Sequence, residues 1–335
     1  MTTEDSLITS RNGRAGRILM NRPKSLNAID LPMIRAMTKI LLQWRDDPAV
    51  QLVIVEGAGD RAFCAGGDIV ALREDAMADR TDAVEAFFSE EYELNKLIAA
   101  YPKPYVSLID GVCMGGGIGV SIYGPYRVAS EHAMFAMPET IIGFFPDIGG
   151  AFFLPRLPGE LGSYLGLTGA RVRAADSVRA GFATHYVPRA RIGELSLALA
   201  ADGAGALGAF AEALPAGTLA GERDAIDRCF SGNSVPDIVA RLHAEASDWA
   251  SGALKLLNGV SPSACVWTLR ALRAGATMTL AEALAMELRM TRVITKHPDF
   301  IEGVRAALVD RDRNPKWTPT SLAAVDPAVI AQVFA

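Results

Sequence analysis

Two acidic residues stand in an unusually apolar stretch of the chain and are candidates for catalysis. Glu139 lies between Phe-Ala-Met-Pro and Thr-Ile-Ile, and Asp147 lies within Phe-Phe-Pro-Asp-Ile-Gly-Gly. Apolar surroundings disfavour the charged form of a carboxyl group, which suits it to proton transfer near neutral pH. Each acid also has a structural interpretation: Glu139 as a surface acid after a proline turn, and Asp147 as part of an ordinary Pro-Asp-x-Gly turn. We predict that both act catalytically.

Two glycine-rich segments are candidates for holding a carbonyl oxygen. They are Cys64-Ala-Gly-Gly-Asp68 and Met114-Gly-Gly-Gly-Ile118, and each follows an apolar strand pattern and precedes a helix. Because glycine has no Cβ, a substrate can approach its backbone closely, and a helix N-terminus adds partial positive charge. Two converging N–H donors form an oxyanion hole, in which one donor is worth about 2.7–4 kcal/mol. The alternative is that these glycines only allow tight packing of helix on strand.

The motifs of several other enzyme classes are missing. The phosphate-loop pattern G-x-x-x-x-G-K-[ST] is absent, and Gly115-Gly-Gly-Ile-Gly119 fits the dinucleotide-binding pattern poorly. The sequence around Ser121 lacks the G-x-S-x-G nucleophile elbow. The histidines are isolated, which is typical of surface or packing residues and not of metal ligands. They are His132, His185, His243 and His297. We predict no serine nucleophile and no metal site.

Composition narrows the choice of partners and compartment. The 335 residues carry a net charge of −5 with no basic stripe, so nucleic acid is not an expected partner. No apolar run is long enough to span a bilayer, so no membrane association is expected. The N-terminal residues match neither a signal peptide nor a transit peptide, and the cysteines are scattered. We therefore expect reduced thiols and a cytoplasmic protein. The cysteines are Cys64, Cys113, Cys229 and Cys265.

The elements that must position these residues follow an α/β pattern. Asn12-Gly13 predicts a tight hairpin turn, and Asp30 is a plausible helix N-cap. Val50–Val55 and Tyr105–Ile109 are almost continuously apolar, as expected of strands buried on both faces of a parallel sheet. The order strand, glycine loop, helix, strand occurs twice. In such a sheet the ligand-facing loops lie at the carboxyl ends of the strands.

The second part of the chain has a different, helical character. We place a domain boundary near residue 190, with residues 1–190 as an α/β core and residues 191–335 as a helical region packed on it. Ser234 is a predicted N-cap, and Thr279 with Glu282 fits a capping box. Asp299 and Glu302 repeat that spacing and predict a further helix start.

Taken together, these segments resemble the crotonase (enoyl-CoA hydratase/isomerase) superfamily. The general resemblance is carried by motifs in that family's order: Asn27-Ala28, Phe63-Cys-Ala-Gly-Gly-Asp68, Pro104 to Asp110, Gly115-Gly-Gly117 and Met137-Pro-Glu139. Further motifs resemble a hydrolase branch of the family: Glu90-Glu-Tyr92, residues 137–150, residues 179–185, Phe300-Ile-Glu-Gly-Val-Arg305 and Asn314-Pro-Lys-Trp317. The resemblance covers nearly the whole chain and is weakest at residues 195–230. It implies a crotonase-like spiral of repeated β-β-α units with a helical C-terminal region.

The resemblance also implies roles for individual residues. The oxyanion donors fall on the backbone N–H groups of Gly67 and Gly116, and Glu91 falls where the hydroxyl end of the substrate is contacted. The segments from Lys24 to Ala28 and from Ala65 to Asp68 correspond to loops that hold the nucleotide of coenzyme A. The predicted substrate-binding residues are therefore Glu91, Gly116, Lys24, Ala28, Ala65 and Asp68.

One position separates the chemistries found in this superfamily. Its hydratases use two glutamates, one matching Glu139 and the other falling here on Gly119, which has no side chain. The hydrolase branch carries a Glu and an Asp that match Glu139 and Asp147. The resemblance thus implies hydrolysis of a short branched 3-hydroxyacyl-CoA thioester in valine degradation. Coenzyme A is then part of the substrate, with no separate cofactor.

Two other functions stay open at this stage. The first is an enoyl-CoA hydratase or isomerase, because some isomerases manage with one acid. The second is a non-catalytic acyl-CoA-binding protein. The superfamily often forms trimers and hexamers, so a homo-oligomer is allowed, although the helical C-terminus could instead cap its own core.

Overall fold

The computed structural model describes residues 6–335, which form a mixed α/β structure. The strands of the described residues are β1 (Leu7–Asn12), β2 (Ala15–Met20), β3 (Leu52–Gly57), β4 (Ala62–Cys64), β5 (Tyr105–Ile109), β6 (Val112–Met114), β7 (Tyr126–Ala129), β8 (Met134–Ala136), β9 (Val172–Arg173) and β10 (His185–Tyr186). The helices are α1 (Leu31–Asp46), α2 (Ile69–Met77), α3 (Thr81–Ala99), α4 (Gly116–Gly119), α5 (Gly150–Phe153), α6 (Leu161–Thr168), α7 (Ala174–Ala180), α8 (Arg189–Asp202), α9 (Leu207–Phe210), α10 (Leu219–Phe230), α11 (Val235–Glu245), α12 (Asp248–Gly259), α13 (Pro262–Gly275), α14 (Leu280–Ile294), α15 (Pro298–Val304) and α16 (Pro327–Val333).

The chain divides into two compact units, each assembled from three segments. The sheet unit contains the chain through Asp68, Glu90–Phe135 and Val172–Gly217. The helical unit contains Ile69–Ser89, Ala136–Arg171 and Thr218–Ala335. Helices α8 and α9 lie beyond residue 190, yet their leucines share the apolar core of the sheet unit. The domain boundary near residue 190 stays a prediction.

The sheet unit is built on a largely parallel six-stranded sheet with the order β1-β2-β3-β5-β7-β10. Strand β3 is parallel to β2 and β5, and its first four residues, Leu-Val-Ile-Val, are buried, which explains their unbroken apolar run. Strands β1 and β2 form the antiparallel hairpin predicted from Asn12-Gly13; Asn12 pairs with Ala15, and Gly13 takes a left-handed φ of 55°. The predicted parallel sheet is confirmed.

A second sheet carries the strands that run into the glycine loops. Its order is β4-β6-β8-β9, and β4 and β6 are parallel, with Cys64 beside Cys113. Along the chain, β3, β4 and α2 form one β-β-α unit, and β5, β6 and α4 form the next. Since two neighbouring parallel strands end together, the loops after β4 and β6 emerge side by side.

The helical unit begins most of its helices with side-chain caps. Ser234 accepts a hydrogen bond from the Asp237 N–H, and Thr279 and Glu282 form a complete capping box, so both predictions are confirmed. Asp30, in the sheet unit, likewise caps α1 as predicted. One apolar cluster of the helical unit comes largely from α10 to α13, with Phe230, Ile238 and Leu269 among its buried residues.

A helix starts where Asp299 and Glu302 predict one, but these two residues do not form its capping box. Helix α15 begins at Pro298 and is capped by His297, whose ring accepts from the Asp299 N–H. The Asp299 side chain turns into the protein, where it accepts from Ser261 Oγ and the Thr318 N–H. Glu302 pairs instead with Arg305. Asp299 is held by distant partners and Glu302 pairs with a residue three positions on, so neither side chain caps the start of α15.

No helix of residues 6–335 is long and apolar enough to cross a membrane. The same residues contain no group of three or more His, Cys, Asp or Glu side chains arranged as metal ligands.

Candidate active site

Gly67 and Gly116 come together within the sheet unit. A Cβ added to Gly116 would lie 3.3 Å from the backbone nitrogen of Gly67. A Cβ added to Gly66 would lie 3.9 Å from the nitrogen of Gly116, and Gly66 itself has a φ of 113°. Two loops that are far apart in sequence thus bring two backbone N–H groups to one place, as the sequence predicts for an oxyanion hole.

The backbone around these glycines explains why their N–H groups are presented. Ile29 donates its N–H to the Gly66 carbonyl and accepts from the Asp68 N–H, so the Gly67 N–H takes no part in this ladder. Gly116 is the first residue of α4, where a helix leaves N–H groups without an intrahelical partner. Because α4 is a single turn, we expect the direct N–H contacts to outweigh any helix dipole.

Glu91 lies against the same glycine pair. Its side chain is only 2% exposed, and its Oε1 lies 2.6 Å from the position that a Cβ on Gly116 would occupy. The neighbouring Glu90 is exposed and pairs with Arg35, so only Glu91 of this acidic pair faces inward. The contact of Glu91 with a substrate stays a prediction.

The two predicted nucleotide loops lie beside each other in the sheet unit. The Ala65 N–H donates to the Leu26 carbonyl at 3.0 Å. Arg22 ties the loops further, donating to the Ala28 carbonyl at 2.7 Å and to the Asp68 carboxylate at 2.9 Å. Lys24 is exposed in the short turn Pro23–Ser25. The contact of these loops with a nucleotide stays a prediction.

The predicted catalytic acids both lie in the helical unit, and both are buried. Glu139 is 7% exposed and begins a short 3₁₀ turn, Glu139–Ile142, which Gly143 ends in a left-handed conformation. A Cβ on Gly143 would lie 2.2 Å from the Asp299 carbonyl oxygen, so α15 packs directly on the end of this turn. The surface interpretation of Glu139 does not hold.

Asp147 is 6% exposed and opens a tight turn in which the Gly150 N–H donates to its carbonyl at 2.7 Å. The turn interpretation of Pro-Asp-x-Gly is therefore correct for the backbone, while the buried carboxyl keeps the catalytic interpretation open. Glu287 of α14 accepts from two N–H groups of the following residues, Gly149 and Ala151.

Three further residues support the Glu139 turn. Ser261 donates its N–H to the Thr140 carbonyl and its hydroxyl to Asp299. Trp267 is fully buried and donates its ring N–H to the Phe144 carbonyl at 3.0 Å. The Phe144 N–H in turn donates to the Glu139 carbonyl. The backbone that follows the acid is thus held by Ser261, the N-cap of α13, and by Trp267 within α13.

Sequence reasoning missed Arg22, Glu287, Ser261 and Trp267 in these roles. Arg22 carries no local signal, because its partners are fixed only when the two loops meet. Glu287 did leave one: it is a charged residue on the face of α14 that otherwise buries residues such as Ala283, Met290 and Ile294. A buried charge on an apolar helix face indicates a specific polar partner.

A match to a family model shows the protein family to which the chain belongs. The model of the enoyl-CoA hydratase/isomerase family matches residues 15–334, and the chain belongs to that family. The fold class predicted from the sequence is confirmed by this match.

Individual named proteins of this family are similar to the chain over nearly its whole length. The chain is 46% identical over 333 residues to the mitochondrial 3-hydroxyisobutyryl-CoA hydrolase of Rattus norvegicus, covering 96% of this chain and 86% of the relative. Identity to the human protein of the same name is 43%, covering 95% and 85%. A solved structure described as a carnitinyl-CoA dehydratase from Mycobacterium thermoresistibile superposes with a TM-score of 0.95 at 42% identity, covering 99% of this chain and 96% of that chain. An enoyl-CoA hydratase structure from Rhodobacter sphaeroides gives 0.92 at 41%, covering 98% and 97%.

The relatives also correct one expectation. The cytoplasmic location predicted from the N-terminal residues and the cysteines is contradicted, because the vertebrate relatives are named as mitochondrial enzymes.

Proposed function

We propose that this protein hydrolyses the thioester bond of a short branched 3-hydroxyacyl-CoA. The specific reaction is 3-hydroxyisobutyryl-CoA plus water giving 3-hydroxyisobutyrate plus coenzyme A, a step of valine degradation. The names of the relatives at 43–46% identity support this substrate. Coenzyme A leaves as a product, so the reaction calls for no separate cofactor.

The observation that favours hydrolysis over hydration is the composition of α4. Its sequence is Gly-Gly-Ile-Gly, so Gly119 offers no carboxyl group where a hydratase of this family has its second glutamate. Adding water to a double bond requires activation of the water and control of a proton at the α-carbon. Cleaving a thioester requires an oxyanion hole, a base or nucleophile, and a proton for the leaving thiolate.

The reaction assigns different steps to different residues. The thioester oxygen accepts hydrogen bonds from Gly67 and Gly116, which stabilise the negative charge as the carbonyl carbon becomes tetrahedral. Glu139 acts by one of two routes. It removes a proton from the water that attacks that carbon, or it attacks the carbon itself to give a mixed anhydride that water then cleaves.

Asp147 completes the proposed reaction at the leaving group. When the carbon–sulfur bond breaks, the electron pair stays on sulfur, and Asp147 assists transfer of a proton to the thiolate. The oxygen of water ends in the carboxylate product. Glu91 contacts the 3-hydroxyl group of the acyl chain, which gives preference for hydroxyacyl over unsubstituted chains.

The proposal is tested by offering two substrates in parallel, 3-hydroxyisobutyryl-CoA and the corresponding enoyl-CoA. We expect release of free thiol from the hydroxyacyl thioester, and no loss of enoyl absorbance. Glu139→Gln should lower turnover at least a hundredfold, because it removes the base or nucleophile. Glu194→Gln, which changes an exposed glutamate on α8, is the matched control and should leave turnover unchanged.

Two outcomes would refute this assignment. Loss of enoyl absorbance without thiol release would indicate a hydratase, in line with the names of the two superposed structures. Binding of both thioesters without turnover, unaffected by Glu139→Gln, would indicate a non-catalytic acyl-CoA-binding protein.

A further inference from the structure

Glu287 is a fully buried acid that the reaction proposed above does not use. It lies on α14, has 0% exposure, and places both carboxylate oxygens on backbone N–H groups. Oε2 accepts from Gly149 at 2.7 Å, and Oε1 accepts from Ala151 at 2.8 Å. These two bonds together hold three consecutive residues, Gly149 to Ala151.

The clamped segment directly follows Asp147 and has a strained backbone. Ile148 is a β-branched residue with a left-handed φ of 53°, and Gly149 has a φ of 82°. A non-glycine residue in this region is strained and persists only where its surroundings hold it. The Glu287 carboxyl group holds this segment by accepting hydrogen bonds from the N–H groups of Gly149 and Ala151.

Keeping an acid at this place is electrostatically unfavourable. Burial raises the pKa of Glu287 well above its ordinary value, and the negative charge of nearby Asp147 adds to the effect. An apolar residue would avoid this cost but would leave the Gly149 and Ala151 N–H groups without these acceptors. The presence of an acid at this position is therefore explained by the two backbone N–H groups that need an acceptor, and not by packing alone.

We propose that Glu287 is the positioning residue for Asp147: by holding Gly149 and Ala151 it fixes the turn that orients the Asp147 carboxyl group. The inference rests on the proposed function, since it is there that Asp147 is assigned to the leaving group. Glu287 itself contacts no reacting atom in this scheme, and its effect on catalysis passes through the backbone.

The test compares Glu287→Gln with a control on the same helix. The amide keeps the size of the side chain but turns one acceptor oxygen into an NH₂ group, which faces a backbone N–H. We expect kcat for thiol release to fall at least tenfold, with KM changed less than threefold. The control is Thr291→Val, which removes a buried hydroxyl bonded only within α14, to the Leu288 carbonyl. It should leave kcat within twofold.

A double-mutant cycle separates positioning from general destabilisation. If Glu287 acts through Asp147, Glu287→Gln should lower kcat less than twofold in an Asp147→Asn background. Hydrogen–deuterium exchange, measured on the same proteins without substrate, should become faster in Glu287→Gln for the peptide covering residues 145–153. Exchange elsewhere should be unchanged, which a loss of global stability would not produce.

Four results would contradict the role of Glu287, and a separate result would contradict the proposed function. Full activity of Glu287→Gln, full activity of Asp147→Asn, multiplicative effects in the double variant, or unchanged exchange at residues 145–153 would overturn the inference. Failure of the proposed function is seen separately, as absence of thiol release from the unmodified protein. The exchange measurement still tests the clamp in that case.

Discussion

At the scale of single residues, the site depends on positions where only glycine fits. Gly116 is the clearest, because a Cβ there would lie 2.6 Å from Glu91 Oε1 and 3.3 Å from the Gly67 nitrogen. In the proposed reaction a carbonyl oxygen approaches the N–H groups of Gly67 and Gly116, and a methyl group on Gly116 would obstruct that approach. The proposed oxyanion hole would give the triple glycine a role beyond helix packing at this one position.

Gly116→Ala should lower kcat/KM for thiol release at least a hundredfold. The new methyl group would stand 3.3 Å from the Gly67 nitrogen and 2.6 Å from Glu91 Oε1, where the substrate oxygen must enter. The loss is comparable to removing one oxyanion donor. Steady-state kinetics and a melting curve measure it.

The matched control for this substitution is Gly193→Ala in α8. No heavy atom lies within 4 Å of a Cβ at Gly193, so the change should leave activity intact and raise the melting temperature slightly. A Gly116→Ala protein with normal kinetics and normal stability would show that the two N–H groups do not hold the substrate carbonyl.

At the scale of elements, α14 places the buried acid Glu287 against the turn that follows Asp147. We expect this contact to make the stability of the protein depend on pH. The folded-state pKa of Glu287 is raised above the ordinary value of 4.5, mainly by burial. The folded state therefore holds this proton more tightly than the unfolded state does. The contribution of Glu287 to stability is full below pH 4.5 and declines as pH rises toward the folded-state pKa.

The free energy of unfolding of Glu287→Gln should therefore come closer to that of the unmodified protein as pH rises. We expect the variant to be less stable at pH 5, because it loses one acceptor for the turn, and this deficit to shrink by pH 8. Urea unfolding at a series of pH values measures the difference. A deficit that is constant or grows with pH would mean that the pKa of Glu287 is not raised in the folded state.

Local signals in the sequence predicted elements whose causes are themselves local. Asn12-Gly13, the Asp30 cap and the Thr279–Glu282 box each involve residues within a few positions of one another, and all are found in the structure. Asp299 had the same kind of signal and was misread, because Ser261 and Thr318 compete for its carboxylate. Such competition depends on chain packing that spacing alone does not reveal.

The residues of the candidate site likewise differ in whether a local sequence signal predicts them. Gly67, Gly116, Glu139 and Asp147 stand in motifs with recognisable neighbours, so they could be selected from the sequence and the family resemblance. Glu287 is 138 residues from Gly149, and its role follows only from the folded contact. Supporting residues of this kind are found by asking why a charge lies on a buried helix face.

At the scale of the whole molecule, family membership alone leaves the chemistry open. Relatives at similar identity carry the names hydrolase, dehydratase and hydratase. The scaffold is thus compatible with more than one acyl-CoA reaction, and the side chains available beside the thioester decide among them. Whether copies of the chain associate stays a prediction, to be measured in solution.

The cysteines provide a probe of both units and bear on the thiol assay itself. Cys64 and Cys113 lie in the sheet unit, Cys229 and Cys265 lie in the helical unit, and all four are free and buried. Burial raises the pKa of Cys64 and of Cys265 to about 12, so little reactive thiolate forms near neutral pH. These buried thiols pack as small apolar groups.

Ellman's reagent should therefore leave the folded protein unmodified on the timescale of the turnover assay, and should count four thiols after denaturation. Ser251→Cys, which introduces a thiol at an exposed position on α12, should react at once and is the positive control. Labelling followed by peptide mass analysis would show which unit opens first under mild denaturant. Rapid labelling of Cys64 or Cys113 in the folded protein would contradict the tight packing of β4 on β6, on which the alignment of the two glycine loops depends.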